Sequence, residues 1–293
     1  MARAATVPRA RAAGRAGWLG RLPLHAAVIL IALAWMVPTA GLLVSSFRPP
    51  SQVSQSGWWT ALVPPFRFTL ENYERVLTTN NMAQSFVNSL FVTIPATVMP
   101  ILIAAFAAYA FAWMRFPGRD LLFFAVVGLL VVPLQMTVIP ILKLFTAFGL
   151  TGSFLAIWLA HTGYGLPFAI YLLRNFFSGM PKEMFESAEI DGSSPLRIFF
   201  SMVLPLSVPA IASLAIFQFL WVWNDLFVAL IYLGGQPQVA PMTVTISNLV
   251  NSLGQDWQLL TAAAFISMAL PLLLFFSLQG YFVRGILAGS VKG

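Results

Sequence analysis

The sequence predicts an all-α, polytopic membrane protein with six transmembrane helices. Hydrophobic residues make up 59% of the 293 residues, charged residues make up only 9%, and the mean hydropathy is +0.84. A soluble domain usually carries about 25% charged residues. The apolar residues are also gathered into runs of about 20 residues or more, which is the length that an α-helix needs to cross a bilayer.

Six apolar runs give the predicted spans, which are residues 24–44, 86–113, 121–142, 154–173, 203–233 and 260–282. The second run contains Pro95 and Pro100, and the fifth contains Pro205 and Pro209, so we expect kinks in both spans. The segment 161–167 holds two glycines and a proline, which predicts an interruption near the middle of the fourth span.

The positive charges are distributed unequally between the two sides of these spans. Twelve of the 16 Lys and Arg residues fall on the side of the N-terminus, three fall on the opposite side, and Lys143 lies at the outer end of the third span. By the positive-inside rule, both termini are cytoplasmic. We therefore predict a basic cytoplasmic tail at residues 1–20 and a single transmembrane domain at 21–293, with a large cytoplasmic loop at about 175–203. The length of the first apolar run favours a retained span over a cleaved signal peptide.

Two loops on the outer side are long. The first, residues 48–85, predicts a short helix at 70–79 and carries Trp58 and Trp59. Tryptophans are typical of membrane–water interfaces, and ligand binding by these two is the less favoured alternative. The second loop, 234–258, is polar and rich in Gly, Pro, Asn and Ser, which fits either a solvated connector or a docking surface.

Composition excludes several kinds of site. The chain has no Cys and only two histidines, His25 and His161, so it offers no disulfide, no thiolate metal site and no histidine-rich metal centre. It shows no clustered catalytic set, so we assign no catalytic residue and no metal ligand. The formal charge of +7 is explained by the positive-inside bias rather than by binding to nucleic acid.

The loop between spans four and five holds the densest acidic cluster of the chain. Four of the nine Asp and Glu residues lie between Glu183 and Asp191. Pro181 suits a first helical turn and Gly192 suits a helix end, so the segment between them predicts a short amphipathic helix along the membrane. An anionic leaflet would repel four acids. We therefore expect this helix to bind a protein partner with a basic, partly apolar groove.

The same segment resembles the EAA loop of ABC importer permeases. The family pattern is Glu-Ala-Ala, three residues, Gly, nine residues and Ile-x-Leu-Pro, and it reads here Glu186-Ser187-Ala188-Glu189-Ile190-Asp191-Gly192 followed by Met202-Val203-Leu204-Pro205. The spacing matches throughout, with Ser187 in an alanine position and Met202 in an isoleucine position. Both changes preserve size or apolarity. The sequence is therefore identified as a member of this family, which implies the ABC importer permease fold.

Other segments resemble permeases that import carbohydrates, most of all the smaller six-span subunit of the maltose type. These segments are 68–73, 88–90, 107–112, 167–174, 223–225 and 288–293, and two more, 66–69 and 282–285, resemble the alpha-glucoside branch. The resemblance implies a permease subunit of an ATP-driven importer for an oligosaccharide or an alpha-glucoside. It also implies a place in the bacterial inner membrane.

The resemblance implies partners as well. Such permeases form heterodimers with a second permease subunit, bind two cytoplasmic ATPase subunits and receive sugar from an extracytoplasmic binding protein. ATP and magnesium would be held by the ATPase subunits, since this chain has no Gly-x-x-x-x-Gly-Lys-Ser/Thr loop and is not expected to be an enzyme itself. The 181–192 helix would be the coupling helix. Its expected ATPase contacts are Met184, Phe185, Glu186, Ser187, Ala188, Asp191 and Gly192.

The predicted substrate path consists of aromatic and polar side chains in spans four and five, which are His161, Tyr164, Trp221, Trp223 and Asn224. Aromatic faces and hydroxyl groups suit sugar rings. A kink used only for packing and interface anchoring by the tryptophans remain open as alternatives. The alternative functions are an ABC permease for a polyol or glycerol phosphate and an ion-coupled secondary transporter. The latter would need charges at mid-depth or paired inverted repeats.

Overall fold

The computed structural model describes residues 21–78, 81–249 and 256–290, with side chains described to residue 280. The predicted basic tail at residues 1–20 lies outside these ranges. Every regular element within them is a helix, which confirms the all-α prediction. In chain order the helices are α1 (Leu22–Ser46), α2 (Pro50–Gln55), α3 (Glu71–Thr78), α4 (Met82–Trp113), α5 (Arg119–Gly128), α6 (Leu134–Ala147), α7 (Phe154–Ser178), α8 (Lys182–Ile190), α9 (Pro195–Leu206), α10 (Val208–Trp223), α11 (Phe227–Leu233), α12 (Met242–Leu249) and α13 (Trp257–Ser290).

Membrane-spanning length is reached in two ways. Among the described residues, α1, α4, α7 and α13 are each long and apolar enough to cross a membrane alone. The segments α5–α6 and α9–α10 reach that length only as pairs, and they are bent by 103° and 72° respectively. The number of spans is therefore four, or up to six if each bent pair crosses once. The fold class is confirmed, while the count of six spans is not.

The third predicted span, residues 121–142, is not a single straight helix. Val132 and Pro133 have extended backbone, with ψ angles of 116° and 128°. Proline has no N–H to donate and disfavours the helical conformation in the residue before it, so the run turns sharply at this point. The fifth run, 203–233, is also divided. It bends at the prolines as predicted, and it breaks again between α10 and α11.

Helix α4 runs unbroken for 32 residues although Pro95 lies inside it. This proline has no N–H to donate to the carbonyl oxygen of Phe91, four residues earlier. Nε1 of Trp158 on α7 donates to that oxygen instead, at 2.9 Å. A neighbouring helix thus satisfies the backbone group that the proline leaves free, as a helix within a membrane requires.

The predicted interruption of the fourth span is wrong, because α7 continues as a helix through residues 161–167. The glycine at 165 serves helix packing instead. A Cβ atom on Gly165 would lie 2.7 Å from Nε2 of Gln218 on α10, so the amide of Gln218 would have to shift to admit it. The same Nε2 donates to the carbonyl oxygen of Ala96 at 3.1 Å, which is the group that Pro100 leaves without a partner. Gln218 therefore joins α4, α7 and α10.

The short helices mark the two ends of the bundle. α3 confirms the short helix predicted at 70–79 and precedes the first residue of α4, whereas α8 packs beside the last residue of α4. α12 lies at the α3 end, where Ser85 of α4 and Thr245 form a hydrogen bond of 2.6 Å. Arg48 also lies at that end and is 1% exposed, with its guanidinium donating to the carbonyl oxygens of Gln52 and Ser56. Helix α8 is thus separated from these elements by the length of the bundle.

Candidate functional site

Helix α8 begins and ends where the sequence predicts. Pro181 precedes its first residue in an extended conformation, with φ −60° and ψ 130°. Gly192 follows its end with φ +75°, a left-handed conformation that glycine adopts without strain. The backbone N–H of Ser193 donates to the carbonyl oxygen of Ala188 at 3.0 Å and closes the helix end. The helix is therefore a defined element rather than an irregular loop.

One face of α8 is fixed to the helix bundle. Phe185 is 5% exposed, and its ring stacks on Trp113 at the end of α4, with ring centroids 3.6 Å apart and planes at 18°. The indole of Trp113 in turn donates to the carbonyl oxygen of Phe177 on α7 at 3.0 Å. Ala188 is also buried on this face. Phe185 and Ala188 belong to the expected contact set, and in the structure their side chains are packed within this chain.

The opposite face of α8 is open. Glu186, Ser187, Asp191 and Gly192 of the expected contact set are exposed, and Met184 is half-buried. Ile190 is 85% exposed, and sequence reasoning missed it. Its position inside the acidic cluster was the signal in the sequence that could have identified it. An apolar side chain among acidic residues is not expected to be buried in lipid or in the protein core. The exposed face therefore combines carboxylates with an apolar side chain.

The charge of this face is partly balanced by a neighbour one turn away. Nζ of Lys182 donates to Oε1 of Glu186 at 2.5 Å, and both side chains are more than half exposed. The hydrogen bond and charge of Glu186 raise the pKa of the Lys182 ammonium above its ordinary value. Glu183 and Glu189 are exposed and have no ion-pair partner among the described residues. The face remains net negative.

A second candidate site is a cavity of about 460 Å³ between the bent α5–α6 pair and α7. Its walls are mostly apolar, and none of the lining side chains is charged. Thr137 and Tyr164 supply its hydroxyl groups, and Phe145 and Trp221 add two aromatic rings to that of Tyr164. Trp221 lies on α10 and is 38% exposed. Such a cavity suits an uncharged ligand with apolar faces and a few hydroxyl groups.

The hydroxyl group of Tyr164 belongs to a short polar chain. It forms a hydrogen bond of 2.8 Å with the hydroxyl group of Tyr232, and Thr137 donates to it at 3.2 Å. Tyr232 is fully buried on α11, and its hydroxyl group donates to the carbonyl oxygen of Val138 at 3.4 Å. These bonds fix the ring of Tyr164 at the cavity wall. The structure thus places Tyr164 and Trp221, two of the five expected path residues, at one cavity.

The other expected path residues lie elsewhere. His161 is 0% exposed and sits behind Trp221, with the ring centroids 5.1 Å apart and the planes at 89°. Trp223 is 2% exposed and donates from Nε1 to the carbonyl oxygen of Ser267 on α13. Asn224 is exposed and donates to the carbonyl oxygen of Leu220, closing the end of α10. None of these three side chains lines the cavity.

The fold is that of a permease subunit of an ABC importer. The fold resembles the solved structure of a bacterial ABC transporter involved in the import of the acidic polysaccharide alginate, with a TM-score of 0.76 and 21% identity over 92% of this chain and 98% of that chain. Residues 81–288 match the family described as binding-protein-dependent transport system inner membrane component, and the chain belongs to this family. The resemblance to ABC importer permeases is thereby confirmed.

Two curated relatives match almost the full length of the chain. The osmoprotective compounds uptake permease protein GgtD of Synechocystis sp. is 59% identical, over 93% of this chain and 92% of the relative. The alpha-glucoside transport system permease protein AglG of Rhizobium meliloti is 42% identical, over 92% of this chain and 97% of the relative. The similarity therefore extends well beyond the loop that carries the motif.

Proposed function

We propose that this chain is the transmembrane permease subunit of an ATP-driven importer for a carbohydrate, either an oligosaccharide or an alpha-glucoside. The observation that carries the proposal is the geometry of α8. One of its faces is fixed to the bundle through Phe185 and Trp113, while its other face presents acidic side chains and Ile190 to a partner. The relative named for alpha-glucoside transport supports the substrate class.

The partners follow from this arrangement. A second permease subunit completes the transmembrane pore, and two ATPase subunits bind at the cytoplasmic side, where ATP and magnesium are held. The exposed face of α8 sits in a basic, partly apolar groove of one ATPase, with Glu186 as the charged contact. The Lys and Arg asymmetry supports a cytoplasmic position for α8 and for both termini. A sugar-binding protein delivers the substrate from the other side, in keeping with the family description.

The motion of the ATPase subunits is then transmitted to the transmembrane helices through two aromatic side chains. When the ATPases close, the groove moves α8 as a rigid body, and the stacked rings of Phe185 and Trp113 transmit that motion to the end of α4. Trp113 is also bonded to the backbone of α7, so α4 and α7 move together. Rigid-body motion of these helices changes the access of the membrane cavity from one side to the other.

The cavity at Tyr164 and Trp221 is the part of the substrate path that this subunit contributes. The faces of sugar rings stack on aromatic side chains, and sugar hydroxyl groups bind to tyrosine and threonine. The absence of charged side chains from its lining favours a neutral solute over glycerol phosphate. A neutral osmoprotective polyol is the second candidate, because the relative that is 59% identical is named for osmoprotective compounds.

The test is uptake by the complete complex, which contains both permeases, the ATPases and the binding protein, reconstituted in lipid vesicles. Radiolabelled maltose, sorbitol and glycerol phosphate are offered with ATP on the ATPase side. We expect ATP-dependent uptake of maltose that exceeds uptake of the other two solutes. Preferred uptake of sorbitol would establish the second candidate. Uptake that follows an ion gradient and ignores ATP would overturn the assignment in favour of a secondary transporter.

A further inference from the structure

His161 is a buried histidine whose two ring nitrogens both lack a hydrogen-bond partner. The side chain is 0% exposed, and neither Nδ1 nor Nε2 is within bonding distance of a partner. Nε2 lies 3.6 Å from Oδ2 of Asp225, just beyond the 2.7–3.2 Å range of an N–H···O hydrogen bond. Unpaired buried polar groups are rare and costly. This histidine is therefore poised beside an acceptor that it does not reach.

Asp225 is held in place by other groups. Its carboxylate oxygens accept from the backbone N–H groups of Val228 and Ala229, at 3.2 and 3.0 Å, so it fixes the first turn of α11. Its carbonyl oxygen accepts from Oγ1 of Thr243 on α12 at 2.7 Å. The acceptor thus belongs to a rigid junction between α10, α11 and α12. A shift of the imidazole by a fraction of an ångström would complete the bond.

The imidazole is in contact with one side chain of the cavity wall. Trp221 meets it edge to face, with centroids 5.1 Å apart and planes at 89°, and the indole lines the cavity. Any movement of the imidazole towards Asp225 changes the support behind this indole. The histidine itself does not line the cavity.

We infer that His161 and Asp225 form a positioning pair that sets the ring of Trp221 against a bound sugar. Stacking of the sugar on Trp221 moves the imidazole the remaining distance, and Nε2–H then donates to the Asp225 carboxylate. Neither member touches the sugar, so both act through Trp221. This inference rests on the proposed function, because it takes the cavity at Tyr164 and Trp221 as part of the sugar path.

The experiment compares maltose uptake by the reconstituted complex for the wild type, four single variants and one double variant. His161→Phe keeps an aromatic edge against Trp221 but removes the donor, and His161→Gln returns a donor near the position of Nε2. Trp221→Phe weakens the stacking surface. Thr162→Val is the matched control, because the hydroxyl group of Thr162 is also buried without a partner and lies one residue away.

We expect His161→Phe to raise the half-saturating maltose concentration about tenfold, the size of effect that the loss of one hydrogen bond produces. The maximal rate should change far less. His161→Gln should recover most of the loss, and Thr162→Val should behave as the wild type. In the double variant of His161→Phe with Trp221→Phe, the two effects should not add, since both act on one indole. Purely additive effects, or a wild-type half-saturating concentration in His161→Phe, would overturn the pairing.

A spectroscopic readout separates the pair from the transport function. The ¹⁵N signals of His161, identified by their absence in His161→Phe, should shift towards those of a hydrogen-bonded Nε2–H when the binding protein and maltose are added. The shift should be lost in Asp225→Asn. An unchanged spectrum in a complex that transports maltose refutes the positioning pair alone. A wild-type complex that transports none of the sugars refutes the proposed function, and the inference of a positioning pair is then refuted as well.

Discussion

The indole nitrogen of Trp223 donates a hydrogen bond to the carbonyl oxygen of Ser267, 3.0 Å away on α13. Pro271 lies four residues after Ser267 and has no N–H to satisfy that oxygen within its own helix. The same relationship recurs at Pro95 and Pro100 of α4, where Trp158 and Gln218 are the donors. In a bilayer no water replaces the missing donor, so a neighbouring helix must supply it. Trp223 is thus a packing residue that joins α10 to α13.

Trp223→Phe should lower the thermal stability of the complex. The variant keeps a ring beside Phe86 and Phe219 and removes the donor to Ser267, at a cost of about 1 kcal/mol. Combining it with Pro271→Ala should restore much of that loss, because alanine returns the N–H to the same carbonyl. The midpoint of thermal unfolding in detergent measures both the loss of stability in Trp223→Phe and its recovery in the double variant. A double variant no more stable than Trp223→Phe would contradict this account of the proline.

Gly165→Ala should destabilise the packing of α7 against α10, whereas Gly163→Ala should not. A Cβ atom at Gly165 lies 2.7 Å from the amide of Gln218, which is held by its bond to Ala96. Steric crowding of this kind typically costs about 1–3 kcal/mol. A Cβ atom at Gly163 meets nothing within 4 Å, so this variant is the matched control. Equal unfolding midpoints for the two variants would show that α7 and α10 can separate freely at this point.

These glycines show where sequence reasoning reached its limit. Gly163, Gly165 and Pro167 in one span are the composition of a broken helix, and a break was predicted there. The helix stays intact in the structure, and Gly165 instead leaves room for Gln218 of α10, a residue more than 50 positions away. The bend at Pro133 was missed because the apolar run continues across it; there the backbone N–H of Val132 donates to the carbonyl oxygen of Leu129 at 3.2 Å and closes one short helical segment before the next begins. In α8 the signals are local, with Pro181 at one end and Gly192 at the other, so its bounds were predicted correctly.

Phe185→Ala should uncouple ATP hydrolysis from transport. The stacked contact with Trp113 holds the buried ring of Phe185 against the end of α4, and truncating a buried phenylalanine costs about 3–5 kcal/mol. The exposed face is unaltered, so the ATPase subunits should still co-purify while maltose uptake per ATP falls. Phe185→Leu keeps most of the apolar volume and should retain most of the uptake. Loss of ATPase binding in Phe185→Ala would show instead that α8 needs this anchor to fold.

The orientation of the chain can be tested by protease sites placed in two loops. A site after Ser194, next to α8, should be cut only from the cytoplasmic face. A site after Gly235, between α11 and α12, should be cut only from the outer face. The expectation rests on the excess of Lys and Arg residues on the α8 side of the bundle. Cleavage in the reverse pattern would place α8 away from the ATPases and would remove the basis of the coupling proposal.

Glu186→Lys should prevent the ATPase subunits from binding while the permease remains in the membrane. Charge reversal sets a lysine on the open face of α8 against the basic groove that the proposal requires, and co-purification of the ATPase measures the loss.

The variant also breaks the ion pair with Lys182, so Lys182→Gln is the matched control. Both side chains of that pair are more than half exposed, and exposed pairs contribute little to stability. Lys182→Gln should therefore assemble and transport normally. If the two variants fail alike, the ion pair matters for the shape of α8 and the acidic face is not the contact. If Glu186→Lys assembles and transports as the wild type does, α8 does not dock through this carboxylate.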